Sequence, residues 1–269
     1  MKKIIIVLAG LFFLTAQFAL ADKIVVKGST TVLPIAQKIA ETYMKEHPGV
    51  TITISGGGSG NGIKAIIDGS TDIANSSRFI KKKEIKLAMQ KGVYPVPFRV
   101  AYDCIVPVVH PSNNITNITL DQLKQIYKGE IKNWNEIGGP DRKIVVISRD
   151  TSSGTYEVWA KKVMKKERVF PGALLQASNG AVSQAVDKNK NAIGYIGIGY
   201  ITDGVKPLTV NGIVGSEATT LNGTFPISRP LFMFTQGWPT GESIKFLNYV
   251  LHPNKGQKLV KETGYVSLY

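Results

Sequence analysis

Four short segments carry residues suited to holding a ligand: Gly28-Ser29-Thr30-Thr31, Gly56-Gly57-Gly58-Ser59-Gly60-Asn61-Gly62, Asn75-Ser76-Ser77-Arg78 and Arg149-Asp150-Thr151-Ser152-Ser153-Gly154-Thr155. Each combines hydroxyls with glycine or arginine. A hydroxyl donates or accepts a hydrogen bond. Glycine lets the backbone come close to a ligand, and a guanidinium offers a planar fork matched to an oxyanion. Where a strand passes into a helix, such a segment presents N–H and O–H donors at the positive helix end, which suits an anion. Any one segment also fits plain helix capping. Four together, one carrying Arg149, point to a shared anion site.

Enzyme motifs fail on inspection. The glycine-rich loop has no closing Gly-Lys-Ser/Thr triplet, and Asn61 or Ile63 falls where a G-x-G-x-x-G pattern needs its last glycine. Ser59 and Ser153 lie outside any G-x-S-x-G elbow. His47, His110 and His252 each precede a proline (Pro48, Pro111, Pro253) and read as turn residues. No histidine is thus placed to activate a serine, and metal-ligand spacing is absent. The single cysteine, Cys104, sits in an apolar run and reads as a buried, inert thiol. Trp134, Trp159 and Trp238 read as packing residues. The expectation is a binding protein that is not an enzyme and needs no cofactor.

The elements that must position these segments follow from periodicity. Lys23–Val26 is β-rich, and Pro34–Glu46 places Ile35, Ile39 and Tyr43 on one helix face, ended by His47-Pro48-Gly49. Val50–Ile54 alternates as a strand. Ile63, Ile66 and Ile67 predict a second helix, and Asp72–Ala74 a short strand. After the long β-rich stretch Arg99–Val109, a second block predicts helices at 120–127, 156–166 and 183–186 and strands at 144–148 and 193–196. Another β-rich stretch spans Pro226–Phe234, and two helices close the chain. Strand–turn–helix alternation predicts parallel α/β sheets, with ligands at the strand C-terminal edge. Two such blocks joined by two extended stretches predict two lobes with a cleft between them.

Residues 1–21 read MKKIIIVLAGLFFLTAQFALA, with a basic start, an apolar run and an Ala19-Leu20-Ala21 cleavage pattern. The reading is a cleavable signal peptide and a soluble periplasmic protein. Removing Lys2 and Lys3 lowers the formal net charge of +14 by two. The remaining excess favours an anionic partner, although the lysines are spread along the chain. No basic face interleaved with aromatics is evident, which argues against nucleic acid as partner.

At the four segments the sequence resembles the periplasmic phosphate-binding proteins, the receptor components of ABC-type phosphate importers. Ser178-Asn179-Gly180-Ala181-Val182, Asn191–Gly197 and Pro226-Ile227-Ser228-Arg229-Pro230-Leu231 also match, so the resemblance covers nearly the whole mature chain. It implies the two-lobed type II periplasmic-binding-protein fold, with two hinge crossings and the ligand in the interlobe cleft. The expected division is a signal peptide at 1–21, lobe I at 22–99 plus 230–269 and lobe II at 100–229. The resemblance implies ligand-binding roles for Thr30, the Thr31 backbone, Ser59, Ser77, Arg149, Ser153, the Gly154 backbone and Thr155. It also implies capture of inorganic phosphate by lobe closure and transient docking on inner-membrane ABC permease subunits. Well-known members carry aspartates where this chain has Ser77 and Thr151, and Asp150 sits one residue early. The rival readings are the same fold holding sulfate or molybdate, and a secreted phosphate-ester hydrolase.

Overall fold

The computed structural model describes residues 22–269. The expected signal peptide lies outside the described residues. In chain order the first elements are β1 (Asp22–Gly28), α1 (Leu33–Glu46), β2 (Val50–Ser55), α2 (Ser59–Ile67), β3 (Ile73–Ser76), α3 (Lys82–Gln90) and β4 (Val96–Val109). Next come β5 (Asn117–Ile118), α4 (Leu120–Lys128), β6 (Val145–Arg149), α5 (Gly154–Lys162), β7 (Leu174–Gln176), α6 (Asn179–Asp187) and β8 (Ala192–Gly197). The chain ends with β9 (Lys206–Pro207), β10 (Thr209–Val210), α7 (Glu217–Leu221), β11 (Ser228–Thr235), α8 (Gly241–Leu251) and α9 (Gly256–Glu262). No helix among the described residues is long and apolar enough to cross a membrane.

The main sheet runs β2-β1-β3-β11-β4-β8-β6-β7. β1 pairs in parallel with β2 and β3, while β6 pairs in parallel with β7 and β8. Between these parallel groups lie the antiparallel strands β11 and β4. β4 changes partner along its length: Val96–Cys104 pairs with β11, and Ile105–Val109 pairs with β8. The register places Arg229 of β11 opposite Asp103 of β4.

Two groups of apolar residues match the two ends of this sheet. On one side Ile24, Val26, Ile35, Ile39, Leu231 and Phe246 pack together, with Ile63, Ile66 and Phe234 forming a smaller cluster nearby. On the other, Val106, Val108, Trp134, Trp159, Val182 and Tyr195 form a second core. There Trp159 stacks on Tyr195 with centroids 4.2 Å apart. Trp134 and Trp159 are packing residues as expected, but Trp238 is 73% exposed and only leans on Phe98. Cys104 is fully buried, and burial pushes its thiol pKa up to about 12, so it is protonated at neutral pH.

Three helix bounds differ most from the periodic reading, and one of them is the start of α6, at Asn179 rather than near 183. α2 begins at Ser59 rather than near Ile63, so half of the glycine-rich segment is wound into its first turn. Close packing explains this: a Cβ at Gly62 would lie 2.7 Å from Gly28 Cα, so only glycine lets α2 sit on β1. α5 stops at Lys162 because Lys165 and Lys166 turn into the left-handed region, with φ of 52° and 71°.

Candidate functional site

Each segment singled out above lies at the C-terminal end of a strand. After β1, Gly28 takes φ +136°, and a Cβ there would meet Asn75 O at 2.2 Å. The chain then turns sharply. The Ser29 N–H donates to Asn75 O, while Ser29 Oγ accepts the Thr31 N–H at 3.1 Å. The Thr31 N–H, expected to face the ligand, donates to Ser29 Oγ here, and the Thr31 hydroxyl faces Asn179 and Thr155. Asn179 Nδ2 donates to Thr30 Oγ1 at 3.2 Å and to Thr31 Oγ1 at 3.0 Å.

Ser59 opens α2, and its Oγ accepts the Ser77 N–H at 3.0 Å and lies 3.3 Å from Ser77 Oγ. Ser77 follows β3 but is not at a helix N-terminus, because α3 starts only at Lys82. This third segment thus contributes a hydroxyl rather than a helix end.

The fourth segment links β6 to α5. Ser153 caps the helix, its Oγ accepting the Tyr156 N–H at 3.2 Å. The N–H groups of Gly154 and Thr155 lie in the first turn and have no acceptor within the helix. Arg149 is buried at the end of β6, with Nε donating to Gln176 O at 2.9 Å and Nη2 to Ala177 O at 3.0 Å. Its Nε and Nη2 are thereby engaged, and Nη1 is buried with no partner. Burial pulls its pKa down, opposed by Tyr195 and Asp150, but a guanidinium stays charged.

These segments come together across the molecule. Thr31 Oγ1 and Thr155 Oγ1 are 3.0 Å apart. A Cβ at Gly154 would fall 2.3 Å from Ser59 Oγ and 2.6 Å from Ser77 Oγ. The Gly60 N–H donates to Ser152 O at 2.9 Å. Thr30, Thr31, Ser59, Ser77, Arg149, Ser153, Gly154 and Thr155 are all buried. Thr151, one of the two positions where the resemblance expects an aspartate, is exposed instead. Asp150 Oδ1 is occupied by the Ser152 N–H at 2.8 Å and by the Ser152 hydroxyl.

Three polar residues at the cluster were not read from the sequence as site residues. Arg229 joins Asp103 through Nε at 2.8 Å and Nη2 at 2.6 Å, and Nη2 also reaches Thr31 Oγ1 and Thr155 Oγ1, each at 3.1 Å. Burial raises the Asp103 pKa above the usual carboxylate value, opposed by Arg229 and the Ile198 N–H. Two N–H groups of Arg229, on Nε and Nη2, converge on Asp103 Oδ2. Asn179 is the third. The only sequence signal for Asn179 and Arg229 was their place in segments matching the family resemblance.

Ion pairs brace the mouth of the cluster. Arg78 is held by both oxygens of Glu84 at 2.8 and 2.7 Å, and by Glu157 of α5 at 2.9 Å. Lys81 also reaches Glu157 at 2.6 Å. For Glu84, burial acts to raise the pKa, but the bonds from Arg78 and the Lys81 N–H outweigh it and the net shift is below 4.5. A lowered carboxylate contributes stability that is present above the unfolded value and lost as pH falls through the folded one. The thermal midpoint should therefore fall more steeply below pH 4.5 in the parent than in Glu84→Gln, by a few °C. Equal slopes in differential scanning fluorimetry would disprove this.

Comparison with known proteins places this arrangement. A model of the PBP superfamily domain matches residues 15–254. The phosphate-binding protein PstS of Bacillus subtilis is 31% identical over 247 residues, spanning 91% of this chain and 81% of that protein. PstS of Borreliella burgdorferi is 34% identical over 260 residues, spanning 92% of this chain and 91% of that protein. Among solved structures, a Clostridium perfringens substrate-binding protein assigned to phosphate ABC transport, crystallised with phosphate, superposes with TM-score 0.86 at 32% identity. That match covers 92% of this chain and all of the other. The two parallel sheet groups joined by antiparallel crossing strands are the type II periplasmic-binding-protein fold, and the chain belongs to the PBP superfamily and, within it, to the family of the PstS phosphate-binding proteins.

Proposed function

We propose that the protein captures inorganic phosphate between its two halves and delivers it to an ABC-type membrane permease. One observation carries this reading: buried hydroxyls from both halves converge on the first turn of α5, and Arg149, at the end of the strand that leads into α5, is buried with an unpartnered Nη1. Burying an anion costs its hydration, so each oxygen must find donors. Arg149, the Gly154 and Thr155 N–H groups and the hydroxyls of Thr30, Ser59, Ser77 and Thr155 are the donors assigned to it. Ser153 holds the helix start in place.

In this reading lobe I is 22–99 plus 230–269 and lobe II is 100–229, and the unliganded lobes open about the crossings at 100–103 and 228–230. Phosphate enters, the donors of both lobes converge on it, and the closed form docks on the permease. The signal peptide delivers the protein to the periplasm. The protein binds phosphate and releases it unchanged; it is not an enzyme. Charge-assisted bonds of ~1.5–3 kcal/mol each support micromolar or tighter affinity, about −8 kcal/mol or better.

Titration calorimetry with phosphate, sulfate and molybdate tests the reading. Phosphate is expected to bind at micromolar concentration or below and to displace the other two. No heat with phosphate, or tighter binding of sulfate, would overturn it. Release of phosphate from a chromogenic ester would refute the non-enzymatic assignment.

A further inference from the structure

We propose that Asn179 and Arg229 are positioning residues that make the Thr155 hydroxyl a pure donor toward the bound anion. This rests on the phosphate reading of the site. A hydroxyl oxygen has two acceptor positions and one proton. Asn179 Nδ2 donates its two hydrogens to Thr30 and Thr31, and its Oδ1 takes the Gly197 N–H at 3.2 Å, which fixes the orientation of the amide. Arg229 turns one edge, Nε and one Nη2 hydrogen, to Asp103. The other Nη2 hydrogen is shared between Thr31 Oγ1 and Thr155 Oγ1.

The consequence follows by counting. Thr31 Oγ1 accepts from Asn179 and from Arg229, so both its acceptor positions are filled. Toward Thr155, 3.0 Å away, it can only donate. Thr155 Oγ1 then accepts from Thr31 and Arg229, and its own proton is left for the ligand. Thr31, Thr155, Asn179 and Arg229 are buried, so water does not offer competing partners. Thr155 can therefore donate to an oxyanion but cannot accept a proton from one, which favours the phosphate dianion over the monoanion. The relay also spans the molecule: Thr31 precedes α1, Thr155 and Asn179 lie on α5 and α6, and Arg229 and Asp103 sit on the crossing strands.

The test measures phosphate affinity by calorimetry at about pH 6, where the monoanion dominates, and about pH 8, where the dianion does. Parent, Asn179→Ala, Thr155→Val and the double variant are compared. Both substitutions are uncharged, so no new charge enters. Thr155→Val is expected to lose about tenfold at the higher pH and less at the lower. Asn179→Ala should do the same, because Thr31 then has a free acceptor position and Thr155 can turn its proton inward. The double variant should lose less than the product of the two single losses, the remainder being what Asn179 does for Thr30. Losses that multiply in the double variant, or a parent-like pH ratio in Asn179→Ala, would overturn the relay while leaving the phosphate reading intact. A parent that binds no phosphate overturns both. Thermal unfolding checks that Asn179→Ala is folded; if it is not, Asn179→Ser, which keeps one donor, is judged by the same outcomes.

Discussion

Arg149→Ala is expected to weaken phosphate binding by ~100–1000-fold in calorimetry while leaving the protein folded. The side chain is anchored through Nε and Nη2 by the carbonyls of Gln176 and Ala177, and its third nitrogen, Nη1, is buried without a partner. A buried donor left unmatched costs free energy in the unliganded protein. An anion that accepts from it removes that cost and gains a charge-assisted bond in a site closed to water. Truncation loses both, and a buried anion left without its cation costs roughly 3–5 kcal/mol. Arg149→Lys should recover little, because an ammonium cannot hold two carbonyls and an oxyanion with one planar fork. Affinity within threefold of the parent would remove Arg149 from the site.

Gly154→Ala is expected to reduce affinity by about 100-fold through a different route. The added carbon would sit 2.3 Å from Ser59 Oγ and 2.6 Å from Ser77 Oγ, far inside contact distance. Neither hydroxyl can swing aside freely, since Ser59 Oγ also accepts the Ser77 N–H and both residues are buried. The halves must therefore stop short of each other, and every donor contributed from opposite sides is displaced. Each half keeps its own core, so the thermal midpoint should change little. Small-angle scattering with phosphate present should show the variant wider than the parent. An unchanged affinity would mean that Gly154 does not meet Ser59 and Ser77 in the liganded protein.

Much of the site was legible because its residues are local signals. Gly28-Ser29-Thr30-Thr31 reads as a turn with hydroxyls, and the structure uses Gly28 for the turn, Ser29 Oγ to accept the Thr31 N–H within it and Thr31 for the cluster. Arg149 stood out by lying in the same segment as Ser153 and Thr155. What was not legible depends on register between distant strands. Arg229 meets Asp103 across a separation of 126 residues, and only the pairing of β11 with β4 brings its guanidinium to Thr31 and Thr155. Asn179 stands 148 residues from Thr31, and periodicity placed the nearest helix only at 183–186, short of Asn179. The α2 bound was missed because Gly60 and Gly62 read as loop formers, whereas packing against Gly28 makes Gly62 obligatory within the helix.

The placement of β4 and β11 side by side has a mechanical consequence. Two separate loops would let one half swivel freely on the other. A hydrogen-bonded ribbon flexes about a single line and resists torsion, much as a door turns on its pins. In the closure proposed above, Gly154 would then approach Ser59 along one fixed arc. An insertion in just one crossing would skew that arc and spoil every donor together, whereas matched insertions in both would preserve it.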